Sequence, residues 1–331
     1  MEGTLLSGDM AAGHIWAIIL AAGEGTRLNS LTRDVNGKSV PKQFCSLNGG
    51  ASLIGQTLTR ASGVVSRERI IAVVAPEHDQ FWRPALRGLP SENIIVQPLN
   101  RGTAIGILLP TLKILARDPE ARLLILPSDH HVADEATLKQ AMCHAIEDVH
   151  LHPAGVALLG IEADEPDPEL GYIVPRFGSH SRLGQVQRFV EKPPIAEARR
   201  LCSDGALWNS FILAGCAPSL VELCMRRCPK AVQRLQAIDL HDYGQLLQAY
   251  SELPVIDFSQ HIATGQESRL AVLAVPPCGW NDLGTPHRLA RTLARNPKSG
   301  PSQSAAAWRG PAGCINLAER LLQVQFGLRA D

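Results

Sequence analysis

The chain carries Gly23-Glu24-Gly25-Thr26-Arg27-Leu28 directly behind Ala21-Ala22 and the apolar run Ile15–Leu20, with Pro41-Lys42-Gln43-Phe44 downstream. A buried strand that empties into a glycine-rich turn presents bare backbone N–H groups to phosphate oxygens. The glycines allow close approach, and Arg27 and Lys42 add formal positive charge. That chemistry suits a polyanionic nucleotide. It is distinct from two commoner glycine loops. The dinucleotide fingerprint needs a third glycine where this chain has Leu28. A P-loop ends as Gly37-Lys38-Ser39 does, but its first glycine is Thr32 here and no strand precedes it.

Acids follow two other apolar runs. Leu123–Leu126 leads into Pro127-Ser128-Asp129-His130-His131, and Arg269–Val275 leads into Gly279-Trp280-Asn281-Asp282. An acid at a buried strand end is costly unless paired, and Mg²⁺ is its natural partner beside a triphosphate. The competing reading of Asp129 is a helix cap. The adjacent histidines have poor geometry for zinc. Glu191-Lys192-Pro193 follows the run Gly184–Val190; glutamate accepts hydrogen bonds from sugar hydroxyls and lysine holds a phosphate as a point charge. An exposed salt-bridged pair is the alternative there. Asn209, in Leu207-Trp208-Asn209-Ser210, is suited to a polyol, and Gly171-Tyr172 allows close backbone approach.

These residues need a scaffold, and the hydrophobic pattern supplies one. Ile15–Leu20, Ile70–Ala75, Ile94–Gln97, Leu123–Leu126 and Val156–Leu159 are short, unalternating apolar runs. Such runs are expected for strands covered on both faces. Between them, residues 52–64, 76–87, 103–117 and 135–149 have helical spacing, with Ala104, Leu108, Leu112 and Leu115 on one stripe. Ser52 and Thr103 stand where N-caps belong, and Asp118-Pro119 marks a stop. This alternation predicts an α/β fold with a doubly wound, mostly parallel sheet. Residues 172–175 and 184–190 read as strands bracketing a polar turn, a hairpin or an antiparallel edge, 208–214 and 269–275 as further strands, and 218–227 and 231–250 as helices. The expected division is an N-terminal extension at 1–13, a main domain at 14–295, and a linker with a C-terminal helix at 296–331. In that helix Leu317, Leu321, Val324 and Leu328 form an apolar stripe, expected to dock on its own domain; a homodimer contact is the alternative.

Composition bounds the partners. Of 331 residues 45% are apolar and 19% charged, which is a globular balance. Lys+Arg and Asp+Glu both number 32, so no global attraction to nucleic acid or anionic membrane exists. No apolar stretch is long enough to cross a bilayer. The eight cysteines are scattered without a zinc-site pattern, and Met1–Gly13 lacks a secretory signal, so a reduced, cytoplasmic setting is expected.

The ordered set Gly-x-Gly-Thr-Arg-Leu, Pro-Lys-Gln-Phe, Arg-Gly-Thr-Ala, Pro-Ser-Asp-His, Gly-Tyr, Val-Glu-Lys-Pro, Trp-Asn-Ser and Gly-Trp-Asn-Asp-Leu-Gly resembles the sugar-1-phosphate nucleotidyltransferases. Among them it is most similar to the mannose-1-phosphate guanylyltransferases, over residues 15–289. The resemblance implies a Rossmann-like sheet with an antiparallel sugar-binding portion. It also implies a reaction of a nucleoside triphosphate with a sugar 1-phosphate that releases pyrophosphate. By the same resemblance Arg27 and Lys42 contact the triphosphate, within a nucleotide site of Ala21, Ala22, Gly23, Gly25, Thr26, Arg101, Gly102, Thr103 and Ser128. Asp129 and Asp282 fall on the Mg²⁺ positions. Gly171, Tyr172, Glu191 and Asn209 fall on the sugar side, with Lys192 on the sugar phosphate. Two anions that repel each other need charge neutralisation and in-line positioning more than a protein nucleophile. Three departures stand out: a longer loop between Arg27 and Lys42, Arg101-Gly102-Thr103 in place of Arg-Asn-Thr, and Phe211 where a glycine usually follows Trp-Asn-Ser. The leading reading is GTP with mannose 1-phosphate. Other bases, a heptose 1-phosphate, or a catalytically silent binding homologue are the alternatives.

Overall fold

A computed structural model describes residues 12–33, 37–179, 181–295 and 315–326. Nine described strands form one sheet: β1 (Ile15–Ala21), β2 (Ile70–Val74), β3 (Ile94–Val96), β4 (Arg122–Pro127), β5 (Val156–Glu162), β6 (Gly171–Arg176), β7 (Leu183–Glu191), β8 (Leu207–Cys216) and β9 (Ala271–Val275). The helices are α1 (Leu53–Ser62), α2 (Asp79–Ala85), α3 (Gly102–Arg117), α4 (Glu135–Asp148), α5 (Ile195–Ser203), α6 (Ala217–Arg227), α7 (Pro229–Gln236), α8 (Tyr243–Glu252), α9 (Pro286–Arg295) and α10 (Leu317–Phe326).

Strand β1 shows why apolar runs without alternation become central strands. Ala17, Ile19 and Ala21 pack into one core with α1 and α4, while Trp16 and Ile18 pack into a second core with α3 and α6. Both faces are therefore dry, and every position of the strand interior is apolar.

The sheet order is β3-β2-β1-β4-β8-β5-β9-β7-β6. The first four strands run parallel, as expected. The remainder does not fit a mostly parallel sheet. Strand β8 runs antiparallel to both β4 and β5, β7 runs antiparallel to β6 and β9, and only β5–β9 is parallel there. Strand β6 also pairs with the start of β8, which closes β8, β5, β9, β7 and β6 into a ring. The β6–β7 pairing is the antiparallel arrangement expected for 172–175 and 184–190, whereas the direction of β8 was hidden, because an apolar run reports burial but not direction.

The expected helix over 231–250 is two helices. Pro229 opens α7, and the Asp242 side chain accepts the Gly244 and Gln245 N–H groups at the start of α8. Ser52 caps α1 as expected, accepting from Gly55 N at 3.3 Å. Thr103 does not cap α3, which begins one residue earlier; its hydroxyl instead accepts the Phe258 N–H at 2.7 Å. Helix α10 docks on its own chain. Ser46 N and Leu317 N donate to Ile315 O and Ser46 O, both at 2.8 Å, and Leu317 and Leu321 join the first core. Val324 is 61% exposed, so two of the three described residues of the expected stripe pack; Leu328 and the expected linker at 296–311 lie outside the described residues. None of the seven described cysteines is disulfide-bonded, and no described helix is long and apolar enough to cross a membrane.

Candidate active site

A cavity of about 540 Å³ opens at the carboxyl ends of β1 and β4 and reaches to β6, β7 and β8. Open α/β sheets bind ligands at this edge because parallel strands end together there. Here the register sets Leu20 opposite Pro127, and Ser128 Oγ donates to Leu20 O at 2.7 Å. The glycine loop and the Pro-Ser-Asp segment are thereby side by side. Gln43, buried behind them, donates its amide to Ala21 O at 3.0 Å and to Gly23 O at 2.8 Å. Gly25 has φ +61°, and a Cβ on it would stand 3.1 Å from Lys42 Cβ. Only glycine lets the loop lie on the lysine.

Lys42 is buried and joins the two acids. Its Nζ is 2.8 Å from Asp129 Oδ2 and donates to Asp282 O at 2.6 Å. Asp282 Oδ1 accepts the Gly284 N–H at 2.9 Å and pairs with Arg288, whose other nitrogens hold Asp167. Arg27 Nη2 stands 4.0 Å from Asp282 Oδ2. Burial, the largest single influence, would raise both acids, but the surrounding charges and hydrogen bonds together outweigh it, led by Lys42 at Asp129 and by Arg288 at Asp282, so both carboxyls are held below the ordinary aspartate value. His130 is pushed down to about 4 by burial, despite Asp129, and is neutral near pH 7. Its ring meets Trp280 edge-on at 5.3 Å.

The donor set fits a hard divalent cation. Asp129 Oδ1 and Asp282 Oδ2 are the oxygens that neither Lys42 nor Arg288 engages. No cluster of three or more His, Cys, Asp and Glu side chains able to hold a metal occurs among the described residues. An ion here would draw its remaining ligands from phosphate and water, which is the habit of Mg²⁺.

Gly171, Glu191, Lys192 and Asn209 line the same cavity from β6, the end of β7 and β8. Gly171 pairs with Glu191 across β6 and β7, and a Cβ at 171 would meet Glu191 Oε2 at 2.6 Å. Burial, reinforced by Asp257, pushes the Glu191 carboxyl up to about 7. Asn209 Oδ1 accepts the Phe211 N–H at 3.1 Å. The three described non-glycine residues with positive φ, Lys192 (47°), Phe211 (57°) and Leu283 (49°), all lie at this cavity or next to one of its lining residues. Strained backbone of this kind persists where the surroundings over-determine it, typically at functional sites.

A family model described as nucleotidyl transferase matches residues 16–297. The chain belongs to the nucleotidyl transferase family. It is 31% identical over 284 residues to the alginate biosynthesis protein AlgA of Pseudomonas aeruginosa, covering 81% of this chain and 56% of that one. It is 30% identical to the mannose-1-phosphate guanylyltransferase of Escherichia coli, covering 83% and 59%. The chain thus spans a little over half the length of these curated relatives. A solved structure from Thermus thermophilus, described as a mannose-1-phosphate geranyltransferase, superposes with a TM-score of 0.74 at 30% identity, covering 86% of this chain and 80% of that one.

In this nucleotidyl transferase the cavity gathers Ala22, Gly23, Gly25, Arg27, Gly102, Thr103, Ser128, Asp129, Gly171, Glu191, Lys192, Asn209 and Asp282 from the sequence-derived set. Lys42 stands behind the lining through its contacts to both acids. The backbone of Thr26 begins a 3₁₀ turn. Three residues fall elsewhere. The Ala21 side chain is in the first core. Tyr172 is fully buried with its hydroxyl on the Asp167 backbone. Arg101 turns away to Tyr250 O and Ser251 O.

Sequence reading missed Arg288, Asp257 and Gln97. Gln97 follows β3, lines the cavity, is 4% exposed, and its amide nitrogen has no partner among the described residues. A polar residue closing an apolar run was the signal that singled out Asp129, and it applies equally here. Arg288 had no such signal, because its meaning depends on Asp167, 121 residues away, as well as on nearby Asp282.

Proposed function

We propose that this chain transfers a nucleotidyl group from a nucleoside triphosphate, GTP in the preferred reading, to a sugar 1-phosphate, mannose 1-phosphate, and releases pyrophosphate. One observation carries the reading: a single cavity holds Arg27, Asp129 and Asp282 at one end, with Lys42 behind the two acids, and Glu191, Lys192 and Asn209 at the other. A phosphate-bearing sugar seated on Lys192 faces a triphosphate on the glycine loop.

In the proposed reaction a phosphate oxygen of the sugar phosphate attacks the α-phosphorus, and the bond to the bridging oxygen of pyrophosphate breaks. Lys42 and Arg27 neutralise charge that builds on the triphosphate, and Lys192 lowers the repulsion between the two anions. Asp129 and Asp282 would hold Mg²⁺, which supplies further charge neutralisation when bound. The free Gln97 amide and the Gly102-Thr103 backbone are offered to the base. The mannose and guanine assignments draw support from the names of relatives at about 30% identity. A homodimer is proposed through the outer face of α10, where Leu322 and Val324 are 44% and 61% exposed.

The test is a pyrophosphate-release matrix crossing four nucleoside triphosphates with mannose, glucose and heptose 1-phosphates, with and without Mg²⁺. Mg²⁺-dependent release strongest with GTP and mannose 1-phosphate is expected. Release with another pairing reassigns base or sugar, and no release with any pairing overturns the enzyme reading.

A further inference from the structure

A second cavity, about 850 Å³, shares Val255 with the first and opens between α7 and the segment that follows α8. Its wall carries Arg227, Lys230 and Arg234 against a single carboxylate, Glu252. This is a local excess of positive charge on a chain whose charged residues balance at 32 each. Glu252 is already paired with Arg234. Neither Lys230 nor the terminal nitrogens of Arg227 has an acidic partner among the described residues, and Arg234 Nε is buried without a hydrogen-bond partner. No side chain caps α7, whose first residues, Pro229, Lys230 and Ala231, line the cavity, so the positive end of that helix borders it. Residues 253–256 add an apolar wall. Cations with a helix terminus beside an apolar surface suit a phosphorylated small molecule.

The two cavities are joined by one strap. Ile256 N donates to Arg101 O and Ala104 N donates to Ile256 O, both at 3.0 Å. Asp257 Oδ2 accepts from Thr103 Oγ1 at 3.1 Å, and Gly102 lies so close that a Cβ would meet Ile256 O at 2.4 Å. On the other side His261 Nδ1 accepts the Asp257 N–H at 3.0 Å, while Arg227 Nε donates to His261 O at 3.0 Å. An unbroken chain of contacts thus runs from Arg227 through His261 and Asp257 to the Gly102-Thr103 wall of the first cavity.

We propose that the second cavity is an anion site for a phosphorylated small molecule, and that the strap 253–257 reports its occupancy to the first cavity. The second half rests on the functional reading above; the first half does not. The test is hydrogen exchange on the full chain with inorganic phosphate or pyrophosphate, comparing wild type with Arg227→Glu/Lys230→Glu. The wild type is expected to gain protection over 227–236, 253–257 and 101–104, with the glycine loop protected separately. The double variant is expected to lose at least tenfold in the affinity read at 227–236 and to keep glycine-loop protection, which also shows that it is folded. Phosphate acting as well as pyrophosphate assigns a monoester; pyrophosphate alone assigns a diphosphate. Equal protection at 227–236 in both proteins, or none in the wild type, overturns the site. Protection at 227–236 without any change at 101–104 overturns the coupling. A protein silent in the pyrophosphate-release matrix would overturn the enzyme reading and leave this outcome unaffected.

Discussion

Arg288 illustrates how a single side chain can set the chemistry of a neighbour. The residue is buried, and its guanidinium is held between Asp167 and Asp282. Removing one member of a buried ion network leaves its partners uncompensated, at a cost of about 3–5 kcal/mol. Arg288→Met is expected to lose about 3 kcal/mol in urea denaturation and to lower kcat, since Asp282 loses the contact that aims it. Arg288→Lys restores charge without the planar fork, so partial recovery is expected. Wild-type stability in the methionine variant would remove the network from the account. Glu191 gives a pH signature. Its carboxyl moves from 4.5 to about 7 on folding, so the folded chain holds that proton more tightly than the unfolded chain between those values. Its contribution to stability is greatest below pH 4.5, falls as pH rises to about 7, and is constant above. The ionised carboxylate is the better acceptor for sugar hydroxyls, so KM for the sugar phosphate is expected to fall between about pH 6 and 8. Glu191→Gln should remove that component, and Asp257→Asn should move it to lower pH, both read from KM–pH profiles.

At the scale of elements, the first turn of α3 and the kink in β8 decide the cavity walls. Gly102 has φ +82° with Ile256 O against it, so Gly102→Ala forces both a left-handed alanine and a steric shift. A loss of about 2 kcal/mol is expected, together with a raised KM for the nucleotide, measured by thermal unfolding and initial rates. Phe211 takes φ +57° within a strand whose pairing with β5 slips between Leu158 and Gly160. Phe211→Gly removes a left-handed penalty of about 1–2 kcal/mol but also the edge-on contact with Phe258 at 6.2 Å. Stability within about 1 kcal/mol of wild type is expected, while the widened sugar end accepts more sugar phosphates in a turnover panel. These elements differ in how visible they were. Ser52 and Asp118-Pro119 announced helix ends because capping and chain stops are local. Thr103 misled, because its hydroxyl found Asp257 and Phe258, residues far along the chain.

The whole molecule places its last described helix under its first catalytic candidates. Helix α10 pairs with Ser46 and Leu47, just after Lys42-Gln43-Phe44, and buries Leu317 and Leu321. Truncation after Arg295 exposes that seam, and burial of two leucines is worth about 3–6 kcal/mol. A markedly lower melting temperature and reduced turnover are expected from calorimetry and rate measurements. An active, equally stable truncation would show that Lys42 is held without α10. Val324→Glu, on the outer face, should leave the fold intact and dissociate a dimer in sedimentation if α10 forms the contact.

The sequence by itself determined the strand-ending loops, the charged residues on them and the nucleotide chemistry they support. Burial period, glycine spacing and strand-end polarity are local properties, written along the chain. Only the tertiary structure decided the direction of β8, the closure of β6 onto it, and the placement of Arg288, Asp257 and Gln97. It also turned Arg101 and Tyr172 away from the cavity while bringing Lys42 between Asp129 and Asp282. Most of those outcomes depend on partners far along the chain, as Arg101 on Tyr250 and Lys42 on Asp282 do, and an unpaired charge on a linear chain does not say which distant group will meet it.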